Sequence, residues 1–379
     1  MHVLFINARY APERIAGPAF TTQYLATQLV REGDQATVFC RTERSGVIRD
    51  MHGGVTVVRI GLDVPTSRLA QELVDAVNFF RPDVIHTLFP REIPIELLSS
   101  LAAQRRVPVL QTLLSFSLLC ARGSMMRDGW MCTSQCVDCH AATAGQREFA
   151  GRVAGVVGIS RFMLDLHQRC GLFRSTPVQQ VIHDAYEPPF HEPGVPRTGR
   201  ALRLGYLGRL VPQKGVELLL KTLTTQLAGR DWNLVVAGQG DAAYETMLKR
   251  SYADPRIQFV GFVEPGAVLS QIDVLLVPSL WEEPLGRVWL EAYAHRIPVI
   301  ASRRGGMPEG VEEGRTGFLF EPDRPAELAE VIASVLDNPD SVETMKVHAV
   351  KKWRKEFTPA AITGQYREVY DATLSCGRA

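Results

Sequence analysis

No apolar run in this chain of 379 residues is long enough to cross a bilayer as a helix. The longest candidate, Val107–Ala121, is too short and is broken by Gln111, Ser115 and Ser117. Neither sign of charge is in surplus, with 42 Lys plus Arg against 41 Asp plus Glu. That balance excludes a global basic field for nucleic acid, although a local patch remains open. The seven cysteines are odd in number and unevenly placed, which argues against a secreted disulfide scaffold and for a reducing compartment. A strand-like run begins at once, at Val3–Ile6, so no signal peptide and a cytoplasmic location are expected. The loop after that run lacks the G-x-G-x-x-G spacing, which leaves an NAD-binding reading without support.

The length allows two domains, since single cores stop growing at roughly 250–300 residues. The stretch that organises the chain is Pro278–Ala292, PSLWEEPLGRVWLEA. An apolar strand over Asp273–Val277 leads into it, and Gly286 is expected to open an apolar helix. Two carboxylates, Glu283 and Glu291, flank the junction. Backbone N–H groups at a helix start hold anions, and a carboxylate just inside it accepts hydrogen bonds from paired hydroxyls. That layout suits a ligand with a phosphate centre and a polyhydroxyl group at each end, as in a nucleotide-diphosphate sugar. An ordinary loop-to-helix junction, with Glu283 near the positive helix end and Glu291 solvated, is the competing reading.

In the N-terminal half the order is a strand at His2–Ile6, a helix from about Ala19 to Glu32 and a strand at Ala36–Cys40, the opening of a doubly wound sheet. Gly17 precedes the helix, where a missing Cβ lets backbone approach a ligand or simply makes a turn. Further strands are expected at Val55–Arg59, at Arg81–His86, at Val107–Leu113, at Val153–Ile159 and at Val178–Ile182. This pattern puts His86 at the ligand-facing rim, and Ser160 as the N-cap of a helix through Cys170. Cys120, Cys132, Cys136 and Cys139, with His140 adjacent, space thiols as C-x3-C-x2-C with a fourth twelve positions upstream. Structural zinc and plain reduced thiols fit that spacing equally well, and an iron–sulfur cluster fits it less well.

Pro188, Pro189, Pro193, Gly194, Pro196 and Gly199 mark residues 187–200 as a linker. A second strand–loop–helix pattern comes next: Leu202–Leu207, then Gly208-Arg209-Leu210-Val211-Pro212-Gln213-Lys214-Gly215, then a helix. Arg209 and Lys214 sit in that loop where an anion is expected, one a rigid fork and the other a mobile point charge. Gly238 lies in a tight turn, Ala237-Gly238-Gln239-Gly240, after the next strand. Backbone around Phe262 and Val263 offers a flat base an apolar strand end.

The motifs GRLVPQKG (208–215), AGQG (237–240), VPSLWEEPLGRVWLEA (277–292) and GGMPE (305–309) together resemble the retaining glycosyltransferases of family GT4. The cysteine region, LLCARGSMMRDGWMCTSQCVDC (118–139), looks like a variant found in members that act in polysaccharide and O-antigen assembly. The resemblance implies an α/β GT-B fold, two Rossmann-like doubly wound domains facing across a cleft. It places an acceptor-side domain at 1–186 with a cysteine-rich insertion at 118–140, a nucleotide-sugar domain at 201–356, and a helix at 357–379 returning to the first domain. By it, Arg209 and Lys214 are the diphosphate-binding pair, Glu283 faces the donor sugar and Glu291 holds the ribose hydroxyls. Leu285 and Gly286 supply backbone near the diphosphate and sugar, Gly208 and Gly238 line the donor loops, and Gly17 matches the N-terminal glycine loop. Two departures stand out: Leu114 occupies the position of the family's donor-side histidine, and His183-Asp184 replaces its Asn-Gly.

Sugar transfer from a UDP-, GDP- or dTDP-sugar to an acceptor hydroxyl is therefore expected, with configuration retained and no catalytic metal. The acceptor is a glycan, a lipid-linked glycan or a small molecule, and a lipid-linked one implies peripheral contact with the inner membrane face. The alternatives are a non-catalytic nucleotide-sugar-binding protein and another GT-B enzyme, such as a sugar-nucleotide epimerase or a phosphorylase. Nucleic acid is not an expected partner, and the oligomeric state is open.

Overall fold

The computed structural model describes residues 1–13, 17–127, 129–188 and 201–377. The expected linker at 187–200 therefore falls almost wholly outside the described residues. Contacts divide the chain into two units, Met1–Ala185 with Pro359–Ala379, and Tyr186–Thr358.

The first unit opens with β1 (His2–Asn7), α1 (Pro18–Arg31), β2 (Gln35–Thr42), β3 (Val47–His52) and β4 (Val55–Gly61). Next come α2 (Thr66–Phe80), β5 (Val84–Phe89), α3 (Ile95–Gln104) and β6 (Val109–Leu113). A small hairpin, β7 (Met126–Arg127) and β8 (Trp130–Met131), precedes α4 (Val137–Ala142) and α5 (Ala144–Ala150). Then β9 (Gly155–Gly158), α6 (Arg161–Arg169) and β10 (Val178–Val181) complete the sheet. Its order is β10-β9-β6-β5-β1-β2-β4-β3, parallel except for β3, which pairs antiparallel with β4. Val3, Leu4, Phe5 and Ile6 of β1 are all fully buried, as expected for a central strand covered on both faces. Because β1 lies between β2 and β5, the chain changes winding direction at its C-terminal end. Ser160 caps α6 by accepting from the Met163 N–H at 3.1 Å, and Pro18 at the first position starts α1.

The second unit runs through β11 (Leu202–Leu207), α7 (Val216–Lys221), β12 (Trp232–Ala237), α8 (Ala242–Ser251) and β13 (Ile257–Gly261). It continues with α9 (Pro265–Leu269), β14 (Val274–Val277), α10 (Val288–Ala294), β15 (Val299–Ser302) and α11 (Met307–Gly310). Last come β16 (Gly317–Phe320), α12 (Pro325–Asp337) and α13 (Pro339–Glu356). All six strands pair in parallel, in the order β13-β12-β11-β14-β15-β16. Leu204, Tyr206, Leu219, Trp232, Leu234 and Leu276 form part of its core.

The chain then rejoins the first unit as α14 (Pro359–Gly377). Its Tyr366 and Tyr370 pack on His86, one tilted and one edge-on, with ring centroids 5.4 and 5.6 Å away. His86 is a correction to the sequence reading. It is the third residue of β5, not a rim residue, and it is fully buried. Its Nδ1 bonds the Tyr370 hydroxyl at 2.9 Å and its Nε2 the Thr112 hydroxyl at 2.7 Å. The strand extends three residues beyond the expected end because Thr87 and Phe89 still pair with β1 and Leu88, at the register shift between them, stays buried. Strand β3 is a further departure, since VIRDMH carries too many polar residues to stand out as a strand.

Candidate active site

The loop after β11 and the loop after β14 are laced together by backbone. The Leu280 and Trp281 N–H groups both donate to the Gln213 carbonyl, at 2.9 and 3.1 Å. Gly215 permits this approach: its φ is +68° and a Cβ there would fall 1.8 Å from the Pro278 carbonyl oxygen. On the other side, the Gly306 N–H donates to the Glu283 carbonyl at 2.8 Å, and the Gly305 N–H donates to the Glu282 carboxylate. Gly305 has φ +57°, and a Cβ there would lie 2.0 Å from the Glu283 carbonyl oxygen. Three loops at the C-terminal ends of neighbouring parallel strands are thereby packed backbone against backbone around Glu283.

The side chains converge at the same place. Lys214 Nζ donates to Glu283 Oε1 at 2.5 Å, and Ser279 Oγ donates to the same oxygen at 2.9 Å. Lys214 also lies 5.2 Å from the centroid of the Trp281 ring, a cation–π contact that limits where the ammonium can swing. Glu283 is 5% exposed, so its charge is matched by a cation and a hydroxyl at short range, as a buried carboxylate requires. Tyr206 sits beneath, with its hydroxyl donating to the Arg209 carbonyl at 2.8 Å. Burial, and then the nearby Glu283 charge, push its phenol well above the usual range.

Arg209 is exposed and makes no ion pair among the described residues. The structure thus joins Lys214 to Glu283 directly and leaves the Arg209 guanidinium exposed to solvent. Gly208 and Gly238 meet where the loops after β11 and β12 abut, and Leu285 is buried. Gly286 lies two residues before α10, so the helix begins at Val288 and not at the expected glycine. Glu291, in the first turn of α10, is half-buried. Burial pushes its carboxyl up, and Arg287 opposes that shift. Phe262 is 59% exposed and Val263 partly so, leaving an apolar surface after β13.

In the first unit, Gly17 (φ +49°) precedes α1. Leu114 is buried, and Asp184, also buried, accepts from the Thr21 hydroxyl at 2.9 Å, tying α1 to the end of the unit's last strand region. Cys139 Sγ lies 3.8 Å from Cys120 Sγ, but among the described residues no three His, Cys, Asp or Glu side chains already form a group that could hold a metal. Sequence reasoning overlooked Ser279. Its only signal was its place four residues before Glu283 in PSLWE.

Similarity to known proteins is divided between the same two units. A family model described as "Glycosyl transferases group 1" matches residues 201–338, and one described as "Glycosyl transferase 4-like domain" matches residues 16–183. An "Uncharacterized 42.6 kDa protein in cps region" of Klebsiella pneumoniae is 24% identical over 332 residues, covering 82% of this chain and 87% of that protein. The alpha-D-kanosaminyltransferase of Streptomyces kanamyceticus is 31% identical over 176 residues, which cover 43% of this chain and 45% of that enzyme. Among solved structures, sucrose-phosphate synthase from Thermosynechococcus elongatus superposes with a TM-score of 0.78 at 19% identity, covering 99% of both chains. Anabaena HepE, solved in complex with UDP and glucose, gives 0.72 at 18% identity over 98% of this chain and all of that one. At such identities the structural likenesses speak to fold alone.

Proposed function

The chain belongs to the glycosyltransferases of the group 1 and 4-like type with the GT-B fold, and from that premise we propose that it moves a sugar from a UDP-, GDP- or dTDP-sugar to an acceptor hydroxyl with retention of configuration. The observation that carries this reading is the Lys214–Glu283–Ser279 cluster, carried on two loops that interlock with a third at the strand ends of the second unit. As the bond from sugar to diphosphate breaks, negative charge grows on the leaving oxygen. Lys214, with Arg209 approaching from solvent, is placed to neutralise it, and a cation fixed before the reaction stabilises that charge without reorganisation. Glu283 orients the donor sugar through its hydroxyls. No second carboxylate is assigned to the opposite face, so the reading departs from the paired-carboxylate chemistry of glycosidases and uses front-face attack, with the departing phosphate taking the acceptor proton. Glu291 is a half-buried carboxylate whose burial leaves it to gain from two hydroxyl donors, which a ribose diol supplies. The exposed Phe262 and the Val263 backbone offer a face for the base.

The remaining details are proposals of the same reading. A structural zinc at Cys120, Cys132, Cys136 and Cys139 is supported by the 3.8 Å separation of Cys120 and Cys139. A tetrahedron with zinc–sulfur bonds of about 2.3 Å has edges of about 3.8 Å. The other thiols would close in on binding, and metal analysis of the purified protein tests it. A cytoplasmic enzyme touching the membrane only peripherally belongs to the same reading; among the described residues no helix is long and apolar enough to cross a membrane.

The deciding experiment is turnover with the donor and acceptor identified by screening. Arg209→Ala and Glu283→Ala should both lose most transfer, and near-wild-type rates for the two would overturn the assignment. A protein that binds donor normally yet transfers to no acceptor would instead support the non-catalytic alternative suggested by Leu114.

A further inference from the structure

Two arginines lie buried close together in the sheet of the first unit, and their circumstances differ. Arg59 is fully buried and fully engaged. Its Nε donates to Asp50 at 3.0 Å, its Nη1 to the Tyr10 carbonyl at 2.9 Å, and its Nη2 to the Ala11 carbonyl. Arg41, on β2, is 6% exposed, yet its Nε and Nη1 have no hydrogen-bond partner and the guanidinium forms no ion pair among the described residues. A buried charge without partners is strongly unfavourable, and native chains retain one where something else uses it.

The surroundings indicate what would use it. Arg41 is the next-to-last residue of β2, and its N–H donates to the Ala8 carbonyl at 3.1 Å. Ala8 comes directly after β1, and its own N–H donates to the Phe89 carbonyl at the end of β5, at 2.8 Å. Arg41 therefore stands at the strand ends one strand from the β1–β5 reversal of winding, beside the crevice in which parallel α/β sheets take ligands. Three charges face it, namely Glu92, Arg9 and Asp63. Glu92 is engaged by Arg9, whose Nη1 also donates to the Ala8 carbonyl at 3.0 Å. Asp63 accepts from the Gly46 N–H at 3.1 Å. Neither carboxylate hydrogen-bonds Arg41.

We propose that Arg41, with Arg9 beside it, is the receptor for an anionic group on the acceptor, a phosphate ester or a carboxylate, at the β1–β2–β5 strand ends of the first unit. The identification of the ligand as acceptor rests on the glycosyltransferase reading; the anion site itself does not. A planar guanidinium grips such groups through parallel N–H bonds, and the arriving charge removes the cost of the unpaired cation. An acceptor of this kind carries one negative group remote from the hydroxyl that is glycosylated.

The test uses the full chain, saturated with UDP so that anions cannot occupy the loops around Lys214, in chloride buffer at constant ionic strength. Inorganic phosphate, glycerol 3-phosphate and glucuronate are titrated separately and tracked by thermal melting and calorimetry. Wild type should be stabilised by phosphate and by at least one of the two organic anions. Arg41→Met should bind them roughly tenfold or more weakly, as expected for losing a charged hydrogen bond. In the anion-free buffer Arg41→Met should melt at or above wild type, whereas Arg59→Met should melt well below it. An Arg41→Met protein that fails to fold, melts below wild type without anion, or keeps wild-type phosphate affinity overturns the proposal. So does binding of inorganic phosphate with neither organic anion, which would mark a free-ion site. UDP affinity, measured separately, tests the donor reading: its absence in wild type would sink that reading, and its retention in Arg41→Met shows that only the anion site was altered.

Discussion

Lys214 and Arg41 are both cations at strand ends of parallel sheets, one in each unit, and they are prepared in opposite ways. Lys214 already has a counter-charge at 2.5 Å, a hydroxyl sharing that carboxylate and an indole ring alongside. Arg41 is more deeply covered and has none of these. A paired cation is cheap to keep and, on the proposed reading, shares its charge between the carboxylate it already has and an arriving diphosphate. An unpaired one weakens the empty protein and gains in full from its ligand. The first arrangement suits a site that stabilises charge only as a bond breaks, and the second suits a site whose task is to select.

Variants that remove one member at a time can break this contrast. The largest effect belongs to Lys214→Ala, for which steady-state turnover should fall about 10²–10³-fold, as when a preorganised donor to a developing oxyanion is removed. A loss below about tenfold would mean that the lysine serves only to neutralise Glu283. Glu283→Gln separates the two roles of the pair. With the competing carboxylate gone, UDP should bind about fivefold tighter, ~1 kcal/mol, while transfer falls, and calorimetry beside a kcat measurement reads both. Equal weakening of binding and turnover would show that Glu283 positions the lysine instead of restraining it.

Next in size is Gly305→Ala. It places a methyl group against the Glu283 carbonyl and forces a side-chain residue into φ +57°, and should cost about 1–3 kcal/mol by denaturant titration. It should also raise the donor KM as the loop carrying Glu283 shifts. The smallest change, Tyr370→Phe, removes the 2.9 Å partner of His86 and should cost about 1 kcal/mol. That value would confirm that matched polar groups in the first unit behave ordinarily and that Arg41 is the exception.

The same histidine gives an acid limb. Burial holds the His86 imidazole down at about 3, against 6.5 for the unfolded chain. The unfolded state therefore takes up a proton that the folded state refuses. The stability from this group is whole above about pH 6.5 and declines by about 1.4 kcal/mol per pH unit as pH falls toward 3. His167, held at about 4 by burial, adds a second such slope over most of that range. His86→Gln should flatten the limb by one proton, read from melts at successive pH values.

Much of this was legible in the chain. The strand–loop–helix rhythm is written in short apolar runs such as VLFI and VLLV bounded by turn residues, which suit a strand covered on both faces. Lys214 and Glu283 could be picked out because their loops carry glycines and prolines that local physics explains. That they touch could not be read, since their separation of 69 positions is closed by β11–β14 pairing and by the close packing at Gly215 and Gly305. His86 was misplaced because its partners, Tyr366 and Tyr370, lie about 280 residues downstream. Arg41 gave no signal at all. In Thr-Val-Phe-Cys-Arg-Thr an arginine near a strand end reads as solvated, and only the three-dimensional inventory of its hydrogen bonds shows that it is not.

The return of α14 to the first unit has a consequence for how the protein is made. Its two tyrosines close over His86 and Thr112, so the first sheet lacks part of its cover until the whole second unit has been synthesised. During translation the early half must wait, partly open, for the late helix. A chain cut short before Pro359 leaves a bare histidine and an uncovered sheet face for chaperones or proteases to find.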